Sequence, residues 1–331
     1  MFENLPLWPA RASAYAGNVD ALYIFLITIC GFVCLAIFTM ITVFAVRYRR
    51  GAGQKAEQIE GSNALELTWT ILPFGIFVFI FVWAAVIYFQ QRTPPKDSTD
   101  VYTVAKQWMW KFQHIEGQRE INELHVPVGR DVRMIMTSQD VIHSFYVPAF
   151  RIKQDVLPGR YTLAWFHATK PGTYHLFCAE YCGTMHSGMV GDVMVMEPAQ
   201  YQEWLSGGAA TGSLANTGQG LFSSLGCATC HRSDTQGRGP NLAGLFGKLV
   251  LLEDGRTVIA DENYIRESIL LPAAKIVSGF KPIMPTFQGL VSDEQVNALV
   301  AYLKSLRSQP AGVAGTPDVK PPTGQTPVTN K

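Results

Sequence analysis

The chain has 331 residues, of which 48% are apolar and 16% are charged, and its net charge is +1. Soluble proteins usually carry about 25% charged residues, so this composition indicates segments that lie in lipid. The high apolar content excludes intrinsic disorder of the whole chain. The balance of 27 basic and 26 acidic residues gives no basic surface for nucleic acid.

Two long uncharged runs occupy the N-terminal region, at residues 21–46 and 67–89. As a helix, the first run is roughly 39 Å long, which is enough to cross a bilayer and too long for the apolar core of a signal peptide. We therefore expect a two-helix transmembrane hairpin over residues 1–93. The basic residues between the two runs are Arg47, Arg49, Arg50 and Lys55. By the positive-inside rule, they predict a cytoplasmic loop and outward-facing later domains.

Residues 94–200 consist of short β-rich runs that alternate with Pro-Gly turn signals. Several short strands at this spacing indicate a β-sandwich or barrel. The predicted strands include Val101–Val104, Val132–Thr137, Tyr161–Phe166 and Val190–Met196.

The C-terminal third is expected to hold a linker, a compact domain and a tail. Residues 201–216 include a Gly/Ala/Ser-rich stretch that is typical of flexible linkers. Residues 217–307 form the third domain, and residues 308–331 hold five prolines and predict a disordered tail. A helix that closes the domain is predicted from apolar residues at i, i+3, i+4 and i+7, namely Val296, Leu299, Val300 and Leu303.

A haem attachment motif lies in this third domain. Cys227-Ala-Thr-Cys230-His231 has the C-x-x-C-H pattern. Two thiols one turn apart can add to the two vinyl groups of haem, while the adjacent imidazole reaches the iron. The iron needs a second ligand, and beyond His231 the chain holds no other His or Cys and one Met, Met284. We therefore predict one covalent haem c on Cys227 and Cys230, with His231 and Met284 as axial ligands and lysine as a competitor.

Two other uses of these cysteines are a redox dithiol and half of a zinc site. The βαβ context of a thioredoxin-like motif is missing, and no second ligand pair follows for zinc. The segment resembles a class I cytochrome c in its attachment motif, in Gly239-Pro240-Asn241-Leu242, in Met284-Pro285 and in its closing helix. The resemblance implies an all-α domain in which the Pro240 carbonyl accepts a hydrogen bond from His231 and fixes the ring.

A second cluster of soft ligands lies at the end of the β-rich region. Cys178, Cys182, His186 and Met189 fall within 12 residues, and His143 lies 35 residues before Cys178. Thiolate, imidazole and thioether groups on a β-sandwich are copper ligands. Two cysteines four residues apart supply two bridging thiolates, enough for two copper ions, whereas one would describe a mononuclear site. The alternative is a disulfide between Cys178 and Cys182, with the other residues incidental.

The pattern Cys-x-Glu-x-Cys-Gly-x-x-His-x-x-Met, with an upstream Asp-Val-x-His-Ser, resembles the CuA loop of cytochrome c oxidase subunit II. Further matching stretches are Trp69-Thr-Ile-Leu-Pro73, Gln107-Trp108-Met109-Trp110 and Leu157-Pro-Gly-Arg160. The resemblance implies a cupredoxin-like antiparallel β-sandwich or barrel. The implied ligands of a binuclear copper centre are His143, Cys178, Cys182, His186 and Met189. It also implies that Glu180 ligates copper through its backbone carbonyl, with its side chain a candidate ligand for Mg²⁺ at the interface with subunit I.

Other positions in the pattern carry weaker predictions. Met185 stands where the family often has Asn, and it is a rival thioether at the wrong spacing. Trp108 lies where the family takes up electrons, and core packing is the alternative. Glu66 matches a proton-uptake position, but Asn63-x-x-Glu66 is also typical of a capping box. Asp140 and Arg160 resemble orienting or interface groups. Ordinary packing residues are expected at Cys30, Cys34, His114, His125, His167 and His175.

The order of membrane hairpin, copper sandwich and haem domain resembles subunit II of a caa-type cytochrome c oxidase in a bacterial inner membrane. The resemblance implies electron flow from a soluble cytochrome c or other small donor to the haem, to the copper pair, and on to subunit I. Reduction of oxygen to water and proton translocation would occur there, with subunit III as a further partner. Two alternatives are the electron-input subunit of a copper-containing nitric oxide reductase and a stand-alone membrane-tethered carrier.

Overall fold

Two long helices open the fold, α1 (Ala16–Arg47) and α2 (Asn63–Arg92). The computed structural model describes residues 8–49, 61–207, 213–232 and 237–306. Large apolar side chains cover both helices, and Phe38 and Phe81 are 69% and 72% exposed. Both helices are long and apolar enough to cross a membrane. A surface of this kind suits lipid, which satisfies apolar side chains while each helix satisfies its own backbone. The predicted loop residues Arg50 and Lys55 and the predicted tail lie outside the described residues.

The start of α2 differs from the predicted capping box. Ser62 is the N-cap: its backbone is extended and its Oγ accepts a hydrogen bond from the Leu65 N–H at 3.5 Å. A capping box needs its acidic side chain at the third helical residue, which is Leu65. Glu66 is the fourth helical residue and therefore lies one position too far along. The assignment of Asn63 as the cap is wrong, because the shorter Ser62 side chain takes that position. Glu66 stays in the first turn, where a carboxylate favours the positive end of the helix dipole.

A β-sandwich follows the hairpin and confirms the predicted fold class. Its strands are β1 (Thr99–Lys106), β2 (Met109–His114), β3 (Arg119–Ile121), β4 (Glu123–Pro127), β5 (Asp131–Ser138), β6 (His143–Val147), β7 (Ile152–Val156), β8 (Thr162–His167), β9 (Gly172–Cys178) and β10 (Val190–Met196). They form two five-stranded sheets, in the orders β3-β2-β1-β5-β8 and β4-β10-β9-β6-β7. Most neighbours are antiparallel, and the β1–β5 and β4–β10 pairs are parallel.

The sandwich core lies between the two sheets. On β5, Val132, Met134 and Met136 point into this core, as the alternation of a half-buried strand requires. Ile135 points to the opposite face and packs with residues of the C-terminal domain instead. The first sheet is therefore buried on both faces along β1 and β5.

The C-terminal domain is mainly helical. Helix α3 (Pro198–Gly207) packs against the sandwich and occupies the first part of the segment predicted as a linker, while residues 208–212 lie outside the described part of the chain. The other elements are α4 (Leu214–Ser224), the hairpin β11 (Leu249–Leu251) and β12 (Thr257–Ile259), α5 (Glu262–Leu270) and α6 (Asp293–Ser305). The predicted closing helix is α6, and its apolar residues Val296, Leu299, Val300 and Leu303 are buried.

A charged and aromatic junction fixes the sandwich on the helical hairpin. Arg151 donates from Nε to Asp20 Oδ1 at 2.7 Å, and Arg11 donates to Asp20 Oδ2 at 2.6 Å. Trp165 donates from its indole N–H to the Gln90 carbonyl at 3.2 Å near the end of α2. These contacts attach the sandwich to the ends of α1 and α2 that lie near it.

Candidate metal centre and haem pocket

One end of the sandwich gathers the predicted soft ligands. The Cys178 and Cys182 Sγ atoms are 3.8 Å apart, and His143 Nδ1 lies 3.9 Å from Cys178 Sγ. Cys182 Sγ is 3.4 Å from His186 Nδ1 and 3.8 Å from Met189 Sδ. His143 and Met189 are fully buried, and Cys182 is 2% exposed. The fold therefore places two thiols, two imidazoles and a thioether around one point.

Strand ends position these ligands. His143 begins β6, Cys178 ends β9, and Met189 immediately precedes β10. The Cys178 N–H donates to the Met189 carbonyl at 3.1 Å, which closes the loop between β9 and β10. The Ala179 N–H donates to the Ser144 carbonyl at 3.0 Å and joins that loop to β6.

The turn before β2 supports the cysteine loop from the other side. The Gln107 side-chain amide donates to the Cys182 carbonyl at 2.7 Å, and the Trp108 indole N–H donates to the same oxygen at 3.3 Å. Gly183 has φ +115°, and a Cβ there would lie 2.9 Å from Gln107 Nε2. A side chain at Gly183 would therefore displace this support. Sequence reasoning assigned no role to Gln107, although it lies in a stretch that carries the family resemblance.

Asp140 fixes the ring of His143. Its carboxylate accepts a hydrogen bond from His143 Nε2 at 2.8 Å, which leaves Nδ1 directed toward Cys178. Partial burial opposes ionisation, but the Gln107 N–H and the His143 ring hold the pKa of Asp140 below its usual value. An ionised carboxylate behind an imidazole raises its basicity and fixes its tautomer, as is usual for metal-binding histidines.

The two thiols differ in how easily they lose a proton. Burial opposes ionisation of Cys178, but hydrogen bonds from His143 and from backbone N–H groups outweigh it and lower the pKa of this thiol. Burial, and then the neighbouring Cys178 charge, raises the pKa of Cys182. Metal ligation requires thiolates, so binding of a metal ion to this pair releases protons.

The donor set fits copper better than the alternatives. Thiolates, imidazoles and a thioether are soft or borderline ligands, the set expected for copper. Cys178 and Cys182 are free thiols 3.8 Å apart, whereas a disulfide bond measures about 2.05 Å. Met185, the rival thioether, is 55% exposed, while Met189 is buried beside Cys182. Glu180 contributes a backbone carbonyl 3.2 Å from Cys178 Sγ.

The second site is a cavity of about 570 Å³ in the C-terminal domain. Cys227, Cys230, His231 and Met284 all line it, together with mainly apolar residues such as Phe287. A single turn carries the attachment motif, since the His231 N–H donates to the Cys227 carbonyl at 3.0 Å. The cavity and its four chemically distinctive side chains suit a flat apolar cofactor attached at one edge.

His231 is held by its own domain in a ligand-ready orientation. Its Nδ1–H donates to the Pro240 carbonyl at 2.9 Å, the contact that the resemblance implied, so Nε2 is left for a metal. A Cβ at Gly239 would lie 2.8 Å from His231 Cε1, and glycine is therefore required for the ring to fit. An apolar cavity with an imidazole fixed in this way and two thiols at the wall fits haem.

The remaining predicted positions lie apart from both sites. Cys30 and Cys34 are exposed on α1, which suits residues that face lipid or a neighbouring subunit. Glu66 lies at the start of α2, far along the chain from either cluster. His167 and His175 each contact an aspartate, whereas His114 and His125 both bond to Glu120 beneath α3. No sequence signal pointed to Glu120, because it and its two partners lie on three different strands.

Comparison with known proteins assigns each region to a family. The family models that match are "Cytochrome C oxidase subunit II, transmembrane domain" at residues 5–87, "Cytochrome C oxidase subunit II, periplasmic domain" at residues 118–196 and "Cytochrome c" at residues 215–307. Cytochrome c oxidase subunit 2 of Alkalihalophilus pseudofirmus is 30% identical over 300 residues, covering 85% of each chain. The chain belongs to the cytochrome c oxidase subunit II family.

Other relatives in this family have partial coverage. Cytochrome c oxidase subunit 2 of Thermostichus vulcanus is 30% identical over 60% of this chain and 77% of its own length. Among solved structures, the periplasmic domain of subunit II of cytochrome oxidase of Bradyrhizobium japonicum is 31% identical over 34% of this chain and 95% of its own, with a TM-score of 0.33. Membership implies a membrane-bound subunit of a haem-copper oxidase, with copper and haem as its cofactors.

Proposed function

We propose that this subunit II is the electron-input subunit of a respiratory cytochrome c oxidase. It takes single electrons from a soluble donor on the haem domain and delivers them by way of the copper domain to subunit I, where oxygen is reduced to water and protons are translocated. The observation that carries the proposal is that one chain holds both a buried cluster of copper-type ligands and a cavity lined by a haem attachment motif.

In this proposal the sandwich holds a binuclear copper centre. Six groups would bind it: His143 Nδ1, Cys178 and Cys182 Sγ, His186 Nδ1, Met189 Sδ and the Glu180 carbonyl. When bound, the copper pair supplies one-electron exchange with little change in ligand geometry. The protein limits access of water by burying His143, Cys178, Cys182 and Met189, and it orients His143 through Asp140. The Glu180 side chain is free to bind Mg²⁺ at the surface that meets subunit I.

The C-terminal domain would hold one covalent haem c. Cys227 and Cys230 would form the two thioether bonds, and His231 and Met284 would be the iron ligands. When bound, the haem supplies a one-electron redox centre whose potential a thioether ligand raises. The Pro240 carbonyl fixes the His231 ring, and the mainly apolar cavity wall would limit access of water to a bound haem.

Two further roles are part of the proposal. Trp108 contacts the Cys182 carbonyl and is partly buried, which supports a role in electron input to the copper centre. Glu66 is exposed at the first turn of α2, which supports a place at a proton-uptake surface shared with subunit I.

The basic residues Arg47 and Arg49 at the far end of α1 support a cytoplasmic loop, which puts both cofactor domains on the periplasmic face of a bacterial inner membrane.

The test is purification of the complex in mild detergent, followed by metal analysis, optical spectra and gas consumption assays. We expect two copper ions and one haem c per chain, co-purification with a larger haem-bearing subunit, and oxygen consumption. Consumption of nitric oxide but not of oxygen would assign the chain to a nitric oxide reductase. A lone 36.6 kDa chain with both cofactors would indicate a tethered carrier.

A further inference from the structure

The outer face of the first sheet, formed by β3, β2, β1, β5 and β8, is covered by the haem domain. Tyr102, Ile135 and Tyr161 on this side of the copper domain are 0%, 0% and 1% exposed, and they form one apolar cluster with residues of α5 and α6. The outer face of an antiparallel sandwich commonly meets water. Burial as deep as that of a domain core therefore indicates an interface built for continuous contact.

Several polar side chains inside this interface are hydrogen-bonded across the boundary. Asn297 on α6 accepts a hydrogen bond from the Tyr161 hydroxyl and donates from Nδ2 to Gln113 Oε1 at 3.1 Å. Asn263 accepts from the Tyr161 N–H at 2.7 Å and donates to its carbonyl at 3.3 Å. Buried polar groups cost free energy unless they are paired, so these bonds select one register of the two domains.

Four charged residues form a closed square in the same interface. On the copper domain, Arg133 makes a two-point contact to Asp100 at 2.6 and 2.8 Å. On the haem domain, Lys304 Nζ is 3.0 Å from Glu262 Oε1. The pairs join across the boundary, where Lys304 contacts Asp100 at 2.5 Å and Arg133 contacts Glu262 at 3.3 Å. All four side chains are between 8% and 22% exposed, so water and salt screen them weakly.

Glu294 ties the haem domain to the copper end of the sandwich. Glu294 in the first turn of α6 accepts from Lys111 Nζ at 2.9 Å and from the Gln139 amide at 3.3 Å. Gln139 directly precedes Asp140, which bonds to His143. The interface therefore extends from the middle of the sheet to the residues that support a predicted copper ligand.

We propose that the haem domain is permanently docked on this face by its own contacts, and that the connection through residues 208–212 is not what keeps it there. The docking implies one fixed separation between the haem pocket and the copper cluster. Only the importance of that separation for electron transfer rests on the proposed function. A soluble donor then has to meet the haem domain on a surface other than the α5–α6 side. If the haem domain moved on its tether instead, Tyr102, Ile135 and the four charged residues would be exposed to water in each cycle of electron transfer.

The experiment cuts the connection. A protease recognition sequence is inserted between residues 208 and 212 of the full-length subunit, and the purified complex is cleaved and passed over a size-exclusion column. If the domain is docked by its own contacts, the haem-bearing fragment elutes with the complex at low and at high salt. Cutting removes the effective concentration that a tether supplies, so release of the fragment from the parent complex would overturn the proposal.

Variants test which contacts hold the fragment. Lys304→Glu places a third carboxylate among the four charged residues. We expect it to weaken binding of the cut fragment to the complex about a hundredfold, which is about 2.8 kcal/mol at 1.4 kcal/mol per tenfold. The matched control is Lys153→Glu, on β7 of the other sheet, where the lysine pairs with Asp155 and is 48% exposed. Retention equal in the two variants would contradict the assigned interface.

A charge exchange separates docking from folding of either domain. Glu294→Lys alone sets two lysines against each other and should weaken retention about tenfold, or 1.4 kcal/mol. Adding Lys111→Glu restores an opposite pair and should recover most of the loss, while the haem and copper spectra stay unchanged throughout. Failure of this rescue would count against the proposed pose. Elution does not depend on electron transfer, so an inactive complex whose cut fragment is retained would contradict the proposed function and not the docking.

Discussion

The copper-ligand cluster and the haem pocket are prepared by the protein in opposite ways. At the cluster, backbone hydrogen bonds between strand ends bring Cys178, Cys182 and His143 within 3.9 Å of their neighbours. The haem pocket is a cavity of about 570 Å³ among residues of the domain core, including Ile269, Phe287 and Leu303. The copper-type ligands therefore pack against one another, whereas the haem-motif residues line a cavity that adjoins the core of the helical domain.

The lining of the cavity indicates how much the haem domain depends on its cofactor. Apolar residues of the domain core line it, including Ile269, Phe287 and Leu303, and a cofactor would cover them. Burial of one such side chain stabilises a domain by about 1.5–3 kcal/mol, so several of them together are a large part of the stability of a typical domain, about 5–15 kcal/mol. Loss of haem should therefore unfold the helical domain, while loss of copper should leave the sandwich folded.

The largest effect is expected when haem attachment is removed. In Cys227→Ala/Cys230→Ala, residues 213–306 should become sensitive to limited proteolysis, while the sandwich keeps its protection and its near-infrared copper absorption. The matched control is Cys30→Ala/Cys34→Ala on α1, which should change neither. A helical domain that resists protease without bound haem would contradict the difference drawn between the two sites.

The next largest effect is loss of the copper centre. Cys182→Ser removes one of the two thiolates and should abolish the near-infrared absorption, while the haem spectrum and the unfolding temperature of the sandwich stay close to those of the parent. Met185→Leu, at the exposed thioether of the same loop, serves as the control. Simultaneous loss of the haem signal would show that the two sites do not assemble independently.

Replacement of the predicted sixth haem ligand has a smaller effect, because the covalent bonds remain. Met284→Ala should give a high-spin or lysine-ligated haem with a lowered midpoint potential, since a sulfur ligand raises the potential. Redox titration followed optically measures this change. An unchanged potential would remove Met284 from the ligand set.

A weaker effect again is expected at Asp140, which contacts a ligand and not the metal. Asp140→Asn keeps the shape but removes the charge behind His143, and such changes typically cost about 10- to 100-fold in metal affinity. Competition with a copper chelator measures the loss. Asp155→Asn, at an exposed carboxylate on β7, is the control. Equal affinities in the two variants would contradict an orienting role for Asp140.

Local patterns made much of the fold and both sites predictable. The uncharged runs, the β-rich runs and the C-x-x-C-H motif each lie within one continuous segment, so each can be recognised directly in the sequence. His143 and Met284 are distant in sequence from the rest of their sites. His143 was assigned as a copper ligand by the family resemblance, and Met284 was predicted because no other His, Cys or Met follows His231. The N-cap of α2 was missed because Ser62 and Asn63 are both good caps, and neighbouring candidates of similar propensity cannot be ranked from sequence.

Contacts between distant segments were not predictable. Asp100, Arg133, Glu262 and Lys304 lie on four elements, and none belongs to a motif. Their pairing depends on how two domains meet, which no periodicity encodes. A flexible linker was predicted from the composition of the segment between the two domains. That composition gives no information about the contact between the domains that the segment connects.

The smallest predicted effect concerns the attachment of α3, which leads from the sandwich toward the haem domain. Glu120 lies between His114 Nε2, at 2.6 Å, and the ring of His125, and Trp204 of α3 stacks on His125 with ring centroids 4.7 Å apart. The other titratable groups that face this cluster are Glu116, Glu123 and Tyr201. Protonation of Glu120 or deprotonation of His125 should therefore loosen the helix.

The direction of this pH dependence follows from the two pKa shifts. Burial opposes ionisation of Glu120, but both histidine rings lower its pKa, so its contribution is present above about 4.5 and is lost as pH falls through the lowered value. The hydrogen bond to Glu120 raises the pKa of His125 above 6.5, so that contribution is present below 6.5 and is lost as pH rises through the raised value. Corrected amide-exchange protection of α3 should thus be highest between these limits and fall at higher pH. The effect should be absent in Glu120→Gln, and an identical pH profile in that variant would contradict the assignment.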